Sequence, residues 1–259
     1  MSSSTFEWLT GLLEPLLECR DPAYLFPLNL SAGVRLGIGL FRLANGSDYS
    51  QISSQFNVPV SVAKFCVKQL CRVLCTNFRF WLSFPNANDL RSISQNFESL
   101  SAQIVVDSTC RILSIAAGFF GHKTDSVILK ASSLFNDIDD GMLLNASPVN
   151  AVSGSVEESF NAAHELMRIP ALRTDASLRK WGVLSRPIRE EIKMAVAYIG
   201  ACSILHNSLL MREDFSALVC DFEPQRKNRQ PCVFEDDRVS EEALAMRMTL
   251  ATMAKKISS

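Results

Sequence analysis

Over the first part of the chain apolar side chains return every three or four positions, the period of helices with one buried face. Phe6, Trp8, Leu9, Leu12, Leu13, Leu16 and Leu17 predict a helix over Thr5–Cys19 that ends or kinks at Pro15, whose ring cannot continue the backbone ladder. Asp21-Pro22, Pro27 and Asn29 then break the chain. Ser31 is positioned to cap a second helix running to Ala44, where Asn45-Gly46 supplies a left-handed stop. A third helix fits Tyr49–Phe56, with Ile52 and Phe56 on one face. The connector Asn57-Val58-Pro59-Val60-Ser61 follows, its serine read as the N-cap of a fourth helix over Val62–Phe78. Val62, Phe65, Cys66, Gln69, Leu70 and Val73 share one side of that helix.

Leu90, Ile93, Phe97 and Leu100 continue the helical period over Asn86–Leu100, after which the pattern changes. Gln103–Val106 is β-branched and apolar, Asp107-Ser108-Thr109 is turn-like, and Arg111–Phe120 is a second apolar run closed by Gly121, which together predict a β-hairpin. A helix over Asp125–Phe135, capped by Thr124 or Asp125, leads into a loop over Asn136–Gly154. Phe160, Ala163 and Met167 mark a helix over Val156–Met167; the basic amphipathic segment Arg168–Leu184 is broken by Pro170 and Gly182. Ser185-Arg-Pro carries the best start signal in the chain, with Pro187, Glu190 and Glu191 in a first turn and Ile188, Ile192, Ala195, Ile199, Cys202 and His206 facing inward, to about Glu213. Asp214–Asp237 is polar, and Leu244, Met248 and Ala251 place a terminal helix within Ser240–Lys256. The predicted class is α+β, mostly helical, with a helical region over 1–88, a mixed region over 89–221 and a polar tail over 222–259.

The chain has 259 residues, 47% hydrophobic and 20% charged, which excludes a disordered or collagen-like protein. No apolar run reaches the roughly 18 residues of a membrane span; Met194–Leu205, the longest, reads as a buried helix. Met1–Trp8 has neither a basic nor an apolar leader region, so an intracellular protein is expected. Eight irregularly spaced cysteines fit reduced thiols; Cys71 and Cys75 lie one turn apart but no second pair has zinc-ligand spacing.

Charge alters the reading of the fourth helix. The net charge of −1 hides an asymmetry, with seven basic and five acidic residues up to position 88 against 19 and 22 after it. No acid lies between Asp48 and Asp89, while Lys64, Lys68 and Arg72 recur every four residues along one helix face. Two short helices joined by a tight connector, the second with a basic stripe, form a helix-turn-helix-like arrangement in which Ser61, Lys64, Lys68 and Arg72 are the candidate DNA contacts. The alternatives are a solvated helix face, or a protein-interaction module that presents Val62, Phe65 and Leu74 to a partner.

Catalytic signals are sparse. Asp107 and Asp125 are the only carboxylates near ends of predicted strands, where a divalent-metal site is built, and each reads more readily as a turn or capping aspartate. Asp137, Asp139, Asp140 and Gly141 form an acidic turn that lacks the glutamate of a calcium loop. No nucleophile elbow, phosphate loop or dinucleotide fingerprint is present.

Several stretches, in order, resemble the Harbinger-type transposase-derived nuclease family. They are Leu36-Gly-Ile-Gly-Leu-Phe-Arg-Leu-Ala-Asn-Gly-Ser-Asp-Tyr-Ser-Gln-Ile with Phe56–Ser61; Gln103-Ile-Val-Val-Asp107-Ser-Thr-Cys-Arg-Ile; Gly121-His-Lys-Thr-Asp125-Ser; Phe160-Asn161-Ala-Ala-His164; and Ala201-Cys-Ser-Ile-Leu-His206-Asn207. The resemblance implies an RNase H-like core in which two aspartates and a glutamate hold two magnesium or manganese ions for DNA strand cleavage. None of the three acids carries over. The strand of the first would fall in Ser99–Ala102, too short to hold it; the region of the second, Pro148–Gly154, passes directly to a helix; the third falls nearest Leu172. Asp107 and Asp125 match supporting positions. The expectation is therefore a truncated RNase H-like domain and a transposase-derived nuclear protein, also present in the cytoplasm, without catalysis or a metal cofactor. It would bind DNA or chromatin-associated proteins through its helical region and have no membrane partner. The alternative is a divalent-metal-dependent DNA nuclease that uses Asp107 and Asp125 with a further acid such as Glu165 or Asp175. Arg226-Lys227-Asn228-Arg229 reads either as a nuclear-import signal or as a basic turn.

Overall fold

The computed structural model describes residues 1–18, 28–77, 82–83, 100–120, 127–128, 156–220, 222, 245, 248–249 and 252. Helix α1 spans Ser3–Leu17, starting early because the Ser2 hydroxyl accepts from the Thr5 amide at 3.2 Å. It passes through Pro15 rather than stopping there. Pro15 and Gly11, whose carbonyl loses its helical partner, are exposed, so water can replace the missing bond while Leu13 and Leu17 stay buried on the opposite side. The Leu17 carbonyl accepts from Arg35 Nη1 at 2.7 Å and Gln69 Nε2 at 2.8 Å, which ties the end of α1 to two later helices.

Helix α2, Ala32–Asn45, is capped by the Glu18 carboxylate, which accepts from the Ala32 amide at 2.8 Å; the Ser31 hydroxyl makes no capping bond. It ends at Gly46 with φ 62°, as the Asn-Gly pair predicts. Helix α3, Tyr49–Phe56, opens with a capping box between Asp48 and Gln51. Helix α4, Val60–Asn77, begins two residues before the predicted start because the Val62 and Ala63 amides already donate to the Pro59 carbonyl. Ser61 therefore lies in the first turn and does not cap the helix.

The predicted hairpin is present. Strand β2, Leu100–Val106, pairs antiparallel with β3, Ile112–Phe120, and a two-residue strand β1, Leu82–Ser83, pairs parallel with β3 on its other side. Leu100 thus opens a strand and does not close a helix; the rest of the helix predicted over Asn86–Leu100 lies outside the described residues. Helix α5, Val156–Leu178, runs unbroken through Pro170, and Leu166, whose carbonyl Pro170 deprives of a partner, is 67% exposed. Helix α6, Ile192–Met211, starts seven residues later than Ser185 predicts, because Glu190 is drawn out of any first turn by Arg42 and Tyr198. Of the helix over Asp125–Phe135, Val127 and Ile128 are helical, and positions 245, 248, 249 and 252 are helical near the C-terminus. Asp125 itself, the loop over Asn136–Gly154 and Arg226–Arg229 lie outside the described residues.

One buried cluster runs from Leu9, Leu36, Ile52, Leu70 and Leu74 of the first four helices to Tyr198, Cys202 and Leu205 of α6. Helix α6 is long and apolar enough to cross a membrane, but its inner positions are buried against α4 and β3, which makes it a core helix. The α4–α6 interface gathers Cys71, Cys75 and Cys202; Cys75 donates to the Ala197 carbonyl, and burial pushes its thiol up to about 11. At the other end of α6, Asn207 pairs with both backbone groups of Ile112, accepting at 2.8 Å and donating at 2.7 Å. His206 Nε2 donates to the Cys110 carbonyl at 2.9 Å, and Thr174 donates to the same oxygen at 3.1 Å. The motif ending in His206-Asn207 thus anchors the hairpin.

A backbone-to-backbone contact joins the early and late parts of the chain. After α5 the chain turns, and the Gly182 and Val183 amides donate to the Ala44 and Leu43 carbonyls at 2.8 and 3.1 Å, supplying partners for the open end of α2. A Cβ on Gly182 would lie 2.4 Å from the Asn45 carbonyl carbon, and one on Gly46 2.5 Å from the Gly182 oxygen. Gly182→Ala should therefore lower the unfolding free energy by about 1–3 kcal/mol in urea titrations, whereas Gly11→Ala, whose Cβ meets nothing within 4 Å, should cause no loss. Burial holds His206 below its ordinary pKa against the Cys110 hydrogen bond. Its neutral form therefore stabilises the fold fully above about pH 6.5, and that contribution fades as the pH falls further. Replacing His206→Gln should flatten the acid-side slope of stability measured at a series of pH values.

Candidate binding groove

Arg42, near the end of α2, organises the groove floor. Its Nη1 donates to the Gly46 carbonyl at 3.1 Å and to the Ser47 carbonyl, and its Nη2 meets both Glu190 oxygens at 3.2 Å. The guanidinium lies 5.0 Å from the ring centre of Tyr49 and 5.6 Å from that of Tyr198. The Tyr198 hydroxyl donates to Glu190 at 3.0 Å and lies 3.1 Å from the Tyr49 hydroxyl. Burial pushes the Tyr49 phenol up to about 12 and that of Tyr198 further, so both remain neutral donors. Burial opposes the charge on Arg42, but its contacts with Tyr198 and Glu190 outweigh this and keep it cationic.

Above this floor is a groove of about 1020 Å³ between α4 and the segment leading into α6. Seven basic side chains line it against three acidic ones. Lys64, Lys68 and Arg72 stand exposed on α4, as the four-residue spacing predicts, with Lys64 Nζ 5.6 Å from the Tyr49 ring centre. Ser61 is exposed in the first turn of the same helix and does not line the groove. The opposite side carries Arg186, Arg189 and Lys193, all exposed and none ion-paired to a described residue. The sequence pattern does not single out these three. They are spaced three and four apart and read as the outer face of one helix from Ser185, but Arg186 and Arg189 precede α6 and only Lys193 lies in its first turn.

The family-implied metal chemistry finds no fitting donor set among the described residues. One Asp107 oxygen accepts from the Thr109 amide at 2.8 Å, the Thr109 hydroxyl at 2.6 Å and the Arg111 amide at 3.0 Å. Its slight burial works the other way, but these bonds hold the carboxyl below the usual range, as in a turn-closing aspartate. Glu165 pairs with Arg168 on α5 at 2.7 Å, and Asp175 on α5 pairs with Arg179 just past its end at 2.9 Å. Leu172, nearest which the resemblance puts the implied glutamate, also lies on α5 and offers no ligand. No three His, Cys, Asp or Glu side chains among the described residues come together as a metal site would require.

The chain matches the DDE superfamily endonuclease family over residues 75–207. It is 21% identical to Antagonist of Like Heterochromatin Protein 1 of Arabidopsis thaliana, an alignment that covers 83% of this chain and 72% of that protein. No solved structure matches it significantly. The matched span begins at the end of α4 and takes in the hairpin, α5 and α6 as far as Asn207, so on this breadth the chain belongs to the DDE superfamily endonuclease family.

Proposed function

We propose that this protein is a nuclear, transposase-derived DNA- or chromatin-partner-binding protein that does not cleave DNA. The observation that carries the reading is the alignment of Lys64, Lys68 and Arg72 on the exposed face of α4, with the cations of the 186–193 segment continuing the positive surface. Helices α3 and α4, joined by the three residues Asn57–Pro59, supply the helix-turn-helix-like element, with α4 in the recognition position. Closely spaced cations release counterions from a phosphate backbone, which gives sequence-independent affinity that falls with salt. The hairpin and its flanking helices are then the remnant of an RNase H-like nuclease domain. Loss of catalysis is favoured because Asp107 is committed to its turn and the family's glutamate, by resemblance, falls nearest Leu172. The name of the Arabidopsis relative, an antagonist of a heterochromatin protein, favours a chromatin setting.

Two measurements test the reading. In a salt titration on generic duplex DNA, Lys64→Glu with Lys68→Glu should weaken binding and flatten the dependence of log K on log salt by up to about 0.9 for each phosphate no longer neutralised. Unchanged affinity and slope would remove α4 from the interface. In magnesium or manganese, no duplex cleavage above background is expected; cleavage abolished by Asp107→Ala would show that the nuclease site is live.

A further inference from the structure

A phosphate backbone does not account for all of the groove. Its exposed lining is cationic, but deeper in, the lining is Val183, Ile188, Met194 and Ala197, which are buried or half-buried. Nucleic-acid backbone has no apolar group to cover such a surface. The stripe on α4 also forms one side of a concavity whose other side is Arg186, Arg189 and Lys193. The acids in the groove do little to cancel this charge. Glu190 is paired with Arg42, which leaves six exposed cations against Asp48 and Glu191.

From this charge complementarity and the apolar interior we propose that the groove is a docking site for an acidic peptide segment of a partner protein, one that alternates carboxylates with large apolar side chains. The carboxylates meet Lys64, Lys68 and Arg72 on one side and Arg186, Arg189 and Lys193 on the other, and the apolar side chains cover Ile188 and Met194. Such short apolar anchors inside a charged frame are a common mode of peptide recognition. The inference deepens the partner-binding side of the proposed function and rests on it. It also makes the site bipartite. One side belongs to α4 and the other to a segment more than a hundred residues later, brought together by the docking of Gly182 on the end of α2.

The test is fluorescence anisotropy with the full chain and three labelled probes: a peptide alternating Glu with Leu and Phe, an oligo-glutamate of equal length, and a duplex DNA. The alternating peptide should bind saturably and about tenfold more tightly than oligo-glutamate. The pair Arg186→Glu and Arg189→Glu, exposed positions whose folding is checked by thermal melting, should weaken the peptide by about tenfold or more, and Lys193→Glu should act in the same direction. Equal affinity for the two acidic probes overturns the proposal, because the apolar interior would then be unused. Duplex binding that depends on Lys64 and Lys68, with no binding of the alternating peptide, overturns it while leaving the proposed function in place. Failure of all three probes to bind overturns both.

Discussion

The fold depends on the docking of the turn after α5 onto the end of α2. A helix end leaves carbonyls without partners, and here the Gly182 and Val183 amides supply two of them from far along the chain. The approach is close enough that neither Gly46 nor Gly182 has room for a Cβ. Arg42 reinforces the joint by bonding the carbonyls just past α2, stacking on two tyrosines and pairing with Glu190. Once this joint closes, α6 is laid along α4, and the chain between the joint and α6 becomes one side of the groove. The late start of α6 follows from the same contact, since Glu190 cannot both face Arg42 and occupy a first helical turn.

The described basic residues of the N-terminal region divide into two groups with different work. Arg35 is 4% exposed and donates to the Leu17 carbonyl at the end of α1 and to the Leu30 carbonyl before α2, and Arg42 holds the joint; both charges are used inside the protein. Lys64, Lys68 and Arg72 are exposed and have no ion pair with a described residue, so their field reaches solvent. A count of charges along the chain merges these groups. Of these two groups it is the exposed set, extended by Arg186, Arg189 and Lys193, that can bias an encounter with an anionic partner.

The stretches that carry the family likeness are accounted for in part by structural roles. His206 and Asn207 hold the start of β3 to α6, Thr174 adds a second donor to the Cys110 carbonyl, and Asp107 closes the turn between the hairpin strands. These are interactions that keep a small sheet fixed on its helices whether or not catalysis is retained. The hairpin can in this way be held as a support for the neighbouring helices, because this packing and hydrogen bonding need no metal.

Much of the local structure was legible in the residues. Tyr49–Phe56 and the Gly46 stop follow from apolar period and left-handed chemistry; the hairpin follows from β-branched runs around Asp107-Ser-Thr; the stripe on α4 follows from a spacing of four. Each of these is set by neighbours within a turn or two. What the residues did not disclose is decided by distant partners. Pro15 and Pro170 are tolerated where the bond they break faces solvent, Ser31 is displaced as a cap by the Glu18 carboxylate, and Glu190 is withdrawn from a helix by Arg42 and Tyr198. The groove belongs wholly to this second kind. Its two sides are separated by more than a hundred residues, and only the tertiary contact between two glycines brings them face to face, because helical period dictates which way a side chain points but not what it meets.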